Sequence, residues 1–139
     1  MTATSLSVSA SAEGVRQVTG AFDAFSAAHG VALPVAQAVQ VALDELLSNT
    51  VRSGFPAGRT GHIDVRFEIS EGALDVLIVD DGIPFDPLAR KGPDTEAPLD
   101  ARPVGGLGIY LVRQLMDSVS YERGGGVNRL RLKKGIIKG

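Results

Sequence analysis

A chain of 139 residues has the length of one ordinary domain and can bury a core without disulfide or metal staples. With 44% hydrophobic residues, 22% charged residues and a formal charge of -2, it fits a soluble globular protein and carries no electrostatic footprint for nucleic acid. The lack of cysteine excludes disulfides and thiolate zinc sites, and the two histidines, His29 and His62, are too few for a histidine metal cluster and read as surface or loop residues. No apolar run approaches the roughly 18 residues of a membrane span. Met1 to Ala10 lacks the basic start and apolar stretch of a signal peptide, so a cytoplasmic protein is expected. The three lysines between Lys133 and Gly139 fall short of a polybasic membrane anchor and read as a fraying strand end.

In chain order, Leu6, Val8 and Ala10 alternate with serines and predict a short first strand. Ser11 then caps a helix with Glu13 in its first turn and a stripe of Val15, Val18, Phe22 and Phe25, ended by Gly30. Pro34 suits the first turn of a second helix, which runs to about Gly54. After a turn at Arg59 to Gly61, the alternation of Ile63, Val65, Phe67 and Ile69 predicts a half-buried strand. Glu71-Gly72 reads as a hairpin turn into a strand through Leu74, Val76 and Ile78. Between Ile83 and Val104, five prolines and no sustained periodicity predict a long loop, a lid over about 83–105, with Asp86 and Pro87 capping its start. Ile109, Val112, Leu115 and Met116 predict a helix to about Asp117. Val119 and Tyr121 begin a strand, Gly124-Gly125-Gly126 turns it, and Val127 to Lys133 return with Leu130 and Leu132 inward. The resulting fold class is α+β, one domain over 1–139, with an antiparallel-rich sheet and helices packed on one face.

Three segments carry chemistry. In Ala42-Leu43-Asp44-Glu45-Leu46-Leu47-Ser48-Asn49-Thr50, Glu45 and Asn49 lie one helical turn apart and share a face while Leu43, Leu46, Leu47 and Thr50 are buried. A carboxylate and a carboxamide aimed at one point have the makings of a metal-and-base site, and equally of a solvated helix flank. Ile78-Val79-Asp80-Asp81-Gly82-Ile83-Pro84-Phe85-Asp86-Pro87 ends a strand on a carboxylate and turns at Gly82, where glycine's backbone freedom is expected to be used. Gly105-Gly106-Leu107-Gly108 runs straight into a helix, whose unpaired N–H groups and positive dipole end suit a phosphate. There is no Gly-x4-Gly-Lys P-loop, and no Gly-x-Gly-x-x-Gly follows a strand.

Together these segments resemble the N, G1 and G2 boxes of the GHKL ATP-binding superfamily. Asp81-Gly82-Ile83-Pro84-Phe85-Asp86-Pro87 and the run from Gly105 to Asp117 are most similar to the anti-sigma-factor serine/threonine kinases of the RsbW and SpoIIAB type, over about Leu6 to Lys134. The resemblance implies a two-layer α/β sandwich of the Bergerat kind, with a mixed, largely antiparallel sheet and ATP held between helices and lid. It implies Asn49 as the Mg²⁺ ligand and Glu45 as the catalytic residue that takes the hydroxyl proton of a partner's serine or threonine. It further implies Asp80 accepting from the exocyclic amine of adenine, Gly82 and Pro84 beside the base, and Asn128 facing adenine from the last strand. Gly106, Leu107 and Gly108 would cradle the phosphates, with Gly105 as lid hinge. The implied partners are a STAS-type anti-anti-sigma protein, a sigma factor and a second copy of the chain as homodimer. Ser53 stands where many members place histidine or lysine, which leaves Arg52, Lys91 and Arg102 as candidate phosphate donors. A nucleotide-gated regulatory protein that sequesters a partner without phosphoryl transfer is the second reading.

Overall fold

The computed structural model describes residues 2–89 and 106–136, and for Gly106 and Leu107 the backbone alone. Strand β1 (Thr2–Ser9) is followed by helices α1 (Ala12–Ala28) and α2 (Leu33–Gly54), the hairpin β2 (His62–Ser70) and β3 (Ala73–Asp80), and a single 3-10 turn at Pro87–Ala89. Helix α3 (Gly106–Leu115) and the hairpin β4 (Ser118–Gly124) and β5 (Val127–Gly135) complete the order. The five strands lie in the order β1-β2-β3-β5-β4. All four pairings are antiparallel, so the sheet, expected to be mixed, holds no parallel pair among the described residues.

Period-2 patterning decides which face of that sheet is covered. Ile63, Val65 and Phe67 of β2, Leu74, Val76 and Ile78 of β3, and Leu130 and Leu132 of β5 are buried together with the apolar stripes of the three helices. Phe67 stands edge-on to Phe22 at 5.2 Å and lies 5.6 Å from Phe25, which seats α1 on the sheet. The opposite sheet face carries ion pairs, Arg66 with Glu68 at 3.0 Å and Arg131 with Asp75 at 3.5 Å, around the half-buried Leu77 and Val79.

Helix ends follow the local chemistry. Ser11 Oγ accepts from the Gly14 N–H at 3.0 Å, Pro34 sits in the first turn of α2, and Gly30 takes φ 65° just past α1. Helix α3 ends at Leu115 rather than at Asp117, because Asp117 bonds across to β5: its N–H donates to the Lys133 carbonyl and its carboxylate accepts from the Gly135 N–H. Strand β1 reaches back to Thr2, beyond the expected start near Leu6, since pairing with Ile69, Glu68 and Phe67 rewards backbone where side chains give no apolar alternation. His29 and His62 are both exposed.

The β2–β3 turn has φ 52° at Glu71 and 76° at Gly72, the two positive values of a type I′ turn. Glu71 is the one non-glycine residue with positive φ among the described residues. Replacing Glu71 with asparagine, which tolerates this region, is expected to stabilise the protein by about 1 kcal/mol in urea unfolding, without changing any site property.

Candidate functional site

Glu45, one of the polar residues that interrupt the apolar pattern of α2, meets the start of α3, and the end of α2 meets the loop after β3. Glu45 is half-buried, and a methyl group added at Gly108 would fall directly on its carboxylate. The carboxylate thus rests against the first turn of α3, at the positive end of that helix. One turn further along α2, Asn49 is 1% exposed. Its Oδ1 accepts a hydrogen bond from the Arg52 guanidinium, and its Nδ2 is buried with no partner among the described residues.

That arrangement fits a metal–phosphate group in two respects. Oδ1 already attracts a cation, which is the chemistry of a neutral oxygen ligand for Mg²⁺, an ion that takes few protein ligands and keeps waters and phosphate oxygens. The orphaned Nδ2 is a donor whose burial costs about 1–3 kcal/mol until an acceptor such as a phosphate oxygen meets it. Among the described residues, no cluster of three or more His, Cys, Asp or Glu side chains could hold a metal unaided. Ser53, the position without a positive charge, is half-buried, while Arg52 stands exposed beside Asn49; Lys91 and Arg102 lie outside the described residues.

At the other end, Asp80 closes β3 and is 3% exposed. Its Oδ1 accepts from the Gly82 N–H and from Asn128 Nδ2, each at 2.9 Å. Burial pushes the carboxyl above its ordinary 3.8; the bonds from Asn128 and Gly82 and the Arg123 charge oppose this, while neighbouring Asp81 adds to it. Asp81 has a different task, its carboxylate accepting from the His62 N–H at 2.9 Å and its carbonyl from Arg59 at 3.0 Å. Of the two, Asp80 is buried and Asp81 exposed.

Gly82 is needed for a reason other than the expected backbone freedom. It is not among the residues with positive φ; a Cβ there would stand 2.6 Å from the Gly54 carbonyl oxygen and 3.0 Å from Asp80 Oδ1. The loop after β3 must press against the end of α2, where the Ile83 N–H donates to Gly54 O at 3.0 Å. Pro84 follows on the surface of this loop. Asp86 then accepts from the Leu88 N–H at 2.8 Å and caps the 3-10 turn, as Asx chemistry predicts.

Asn128 faces this loop from β5, but all of its amide hydrogen-bonding capacity is taken by the protein. Nδ2 donates to Asp80 Oδ1 and to the Ile83 carbonyl, while Oδ1 accepts from Tyr121 at 2.5 Å and from the Phe85 N–H at 3.5 Å. Its amide therefore has protein partners at both ends. Of the expected site residues, Glu45, Asn49 and Gly108 form one group and Asp80, Gly82 and Asn128 another, joined through α2. Gly106 opens α3 and Leu107 follows it; Gly105 and residues 90–105 of the expected lid lie outside the described residues.

Gly54, Tyr121 and Arg123 were not among the sequence-predicted site residues. Arg123 donates to the Gly82 carbonyl at 2.9 Å. A hairpin signal did exist: a two-residue turn at Gly125-Gly126, with φ 62° and 80°, pairs Arg123 with Asn128 and puts Tyr121 on the same face.

Residues 8–134 match the histidine kinase-like ATPase domain family. Over 93 residues the chain is 34% identical to a serine-protein kinase RsbW of Bacillus licheniformis, covering 64% of this chain and 58% of that one. It is 35% identical over 92 residues to a serine-protein kinase RsbW of Listeria monocytogenes, covering 62% and 59%. The chain thus spans less than two thirds of these relatives' length. The crystal structure of the RsbU and RsbW domains of a Mycobacterium tuberculosis protein superposes on 98% of the chain and 32% of its own, with TM-score 0.70 at 14% identity, and so shares the fold.

Proposed function

The chain belongs to the histidine kinase-like ATPase domain family, and on that premise we propose that it is an ATP-dependent serine/threonine protein kinase of the anti-sigma class, with residues 1–139 as one catalytic domain. The observation that carries this reading is the Glu45 carboxylate against Gly108, which sets a base beside the helix N-terminus suited to phosphates. Magnesium, bound with ATP, would neutralise phosphate charge, and Asn49 would hold it through Oδ1 once Arg52 has left that atom. Asp80 would accept from the exocyclic amine of adenine, and Arg52, already on Asn49, would supply the positive charge that Ser53 lacks.

In this reading the phosphoacceptor is a STAS-type anti-anti-sigma protein and the alternative partner a sigma factor. Phosphorylation adds nearly two negative charges to a protein interface, enough to separate one complex and free the kinase for another. A homodimer enters on the family resemblance. No helix among the described residues is long and apolar enough to cross a membrane.

Calorimetric titration with ATP tests the site. Wild type is expected to bind in a magnesium-dependent manner, and Asn49→Ala to lose at least about tenfold in that dependence, the worth of one charge-assisted contact. Failure of wild type to bind ATP would overturn the reading. The guanidinium on Asn49 Oδ1 favours a second reading, a nucleotide-gated protein that sequesters its partner without transferring phosphate. In that case, phosphate would not reach the partner at any magnesium concentration.

A further inference from the structure

Tyr121 belongs to the edge strand β4, outside every box that marks the nucleotide site, yet its hydroxyl donates to Asn128 Oδ1 at 2.5 Å. Asn128 is 2% exposed, and its Nδ2 donates to Asp80 Oδ1 at 2.9 Å and to the Ile83 carbonyl at 3.0 Å. Both of these acceptors lack a proton to give, so they demand the NH₂ end of the amide. The other end needs donors, and there the Phe85 N–H stands 3.5 Å away, at the limit of a hydrogen bond. Tyr121 is therefore the strong donor at the oxygen end, and it adds to the two acceptors at the other end in holding the amide one way round.

The consequence falls on Asp80. With Oδ1 saturated by Gly82 and Asn128, Oδ2 takes no hydrogen bond from the described residues. An ionised oxygen in that position accepts an exocyclic amine, the group that adenine carries and guanine replaces at the same ring position by a carbonyl. Guanine would place an acceptor against an acceptor. If the Asn128 amide turned over, its carbonyl would face Asp80 Oδ1, a proton would have to lie between the two, and Oδ2 would become the carbonyl oxygen of a neutral acid, a weaker acceptor for the adenine amine and less repulsive to the guanine carbonyl.

We infer that Tyr121 is a positioning residue for nucleobase selection, holding Asn128 so that Asp80 presents one free, ionised oxygen to an amine and rejects a carbonyl. This rests on the ATP-binding reading above. The charged groups facing Asp80 are Asp81 beside it and Arg123 from β4. Helix α2 contributes Gly54 and β2 pairs Ile63 with it, both uncharged.

The test is Tyr121→Phe, which keeps the ring of a half-buried side chain and removes the hydroxyl alone. Kd values for ATP and GTP are measured by calorimetry for wild type and variant, and the Asp80 carboxyl is titrated by carbon-detected NMR in the nucleotide-free proteins. The expected result is a fall of about tenfold in the preference for ATP over GTP, the worth of one hydrogen bond, with the Asp80 midpoint moved to higher pH. An unchanged midpoint overturns the proposal, as does equal weakening of both nucleotides with the preference intact, which a merely structural tyrosine would give. Wild type that binds neither nucleotide overturns the ATP reading itself, and base selection with it. That failure shows in wild type, whereas failure of the Tyr121 inference shows only in the variant.

Discussion

Glu45→Gln is expected to lower phosphate transfer from ATP to a STAS-domain partner by a factor of about 100 to 10,000, the range for losing a positioned general base. ATP affinity is expected to hold or to rise slightly. The carboxylate rests against Gly108, where the phosphates would approach, so neutralising it removes a repulsion as well as a base. Glutamine keeps the shape and the half-buried packing, so thermal unfolding should be unchanged. Single-turnover transfer of labelled phosphate, read beside calorimetric ATP binding, separates the two effects. Equal loss of binding and transfer would make Glu45 part of the binding surface. Unchanged transfer would leave it a helix-flank residue and remove the kinase mechanism proposed above.

Asp80→Asn is expected to weaken ATP binding by about 100-fold or more, from loss of a charged acceptor and its replacement by a donor facing the adenine amine. The same substitution acts on stability with a defined sign. In the folded protein burial raises the Asp80 pKa above 3.8, so between 3.8 and the raised value the native state binds more protons than the unfolded chain. Stability therefore falls as pH rises through that window and stays level above it. Asp80→Asn lacks this fall, since its side chain does not ionise. For wild type, ATP affinity runs the other way: it is lost as pH drops through the raised pKa, because the protonated carboxyl can no longer offer two acceptors. Subtracting the variant from the wild type in urea unfolding and in ATP titration across acid pH would isolate the Asp80 contributions, which would have opposite slopes. Parallel slopes would mean that Asp80 does not face the ligand.

Much of this was legible from local signals. Serine before α1, proline at the start of α2 and the alternating strands β2 and β3 act through neighbours a few residues away, and each element appears where those signals put it. Glu45 and Asn49 share a helical face by spacing alone, and Asp80 precedes its glycine at the end of a strand. The reason for Gly82 was not legible, because the atom that forbids a side chain is the carbonyl of Gly54, 28 positions away in the chain and brought close only by packing of the β3 loop on α2. Asn128 was visible as a polar residue in an apolar strand, but its task was not. It spends its whole amide on Tyr121, Asp80, Ile83 and Phe85, residues from two stretches far apart in the chain.

By itself, then, the amino-acid sequence determined the elements, the covered face of the sheet and the identity of the polar residues that interrupt its apolar periodicities. These follow from backbone conformation and burial, which neighbouring residues decide. The tertiary structure alone decided that Arg52 sits on Asn49, that Glu45 meets Gly108 and that Tyr121 and Asp80 both bond to Asn128. Hydrogen bonds are short and directional, so which donors and acceptors meet depends on ångström-scale packing between distant segments, and no local pattern encodes that distance.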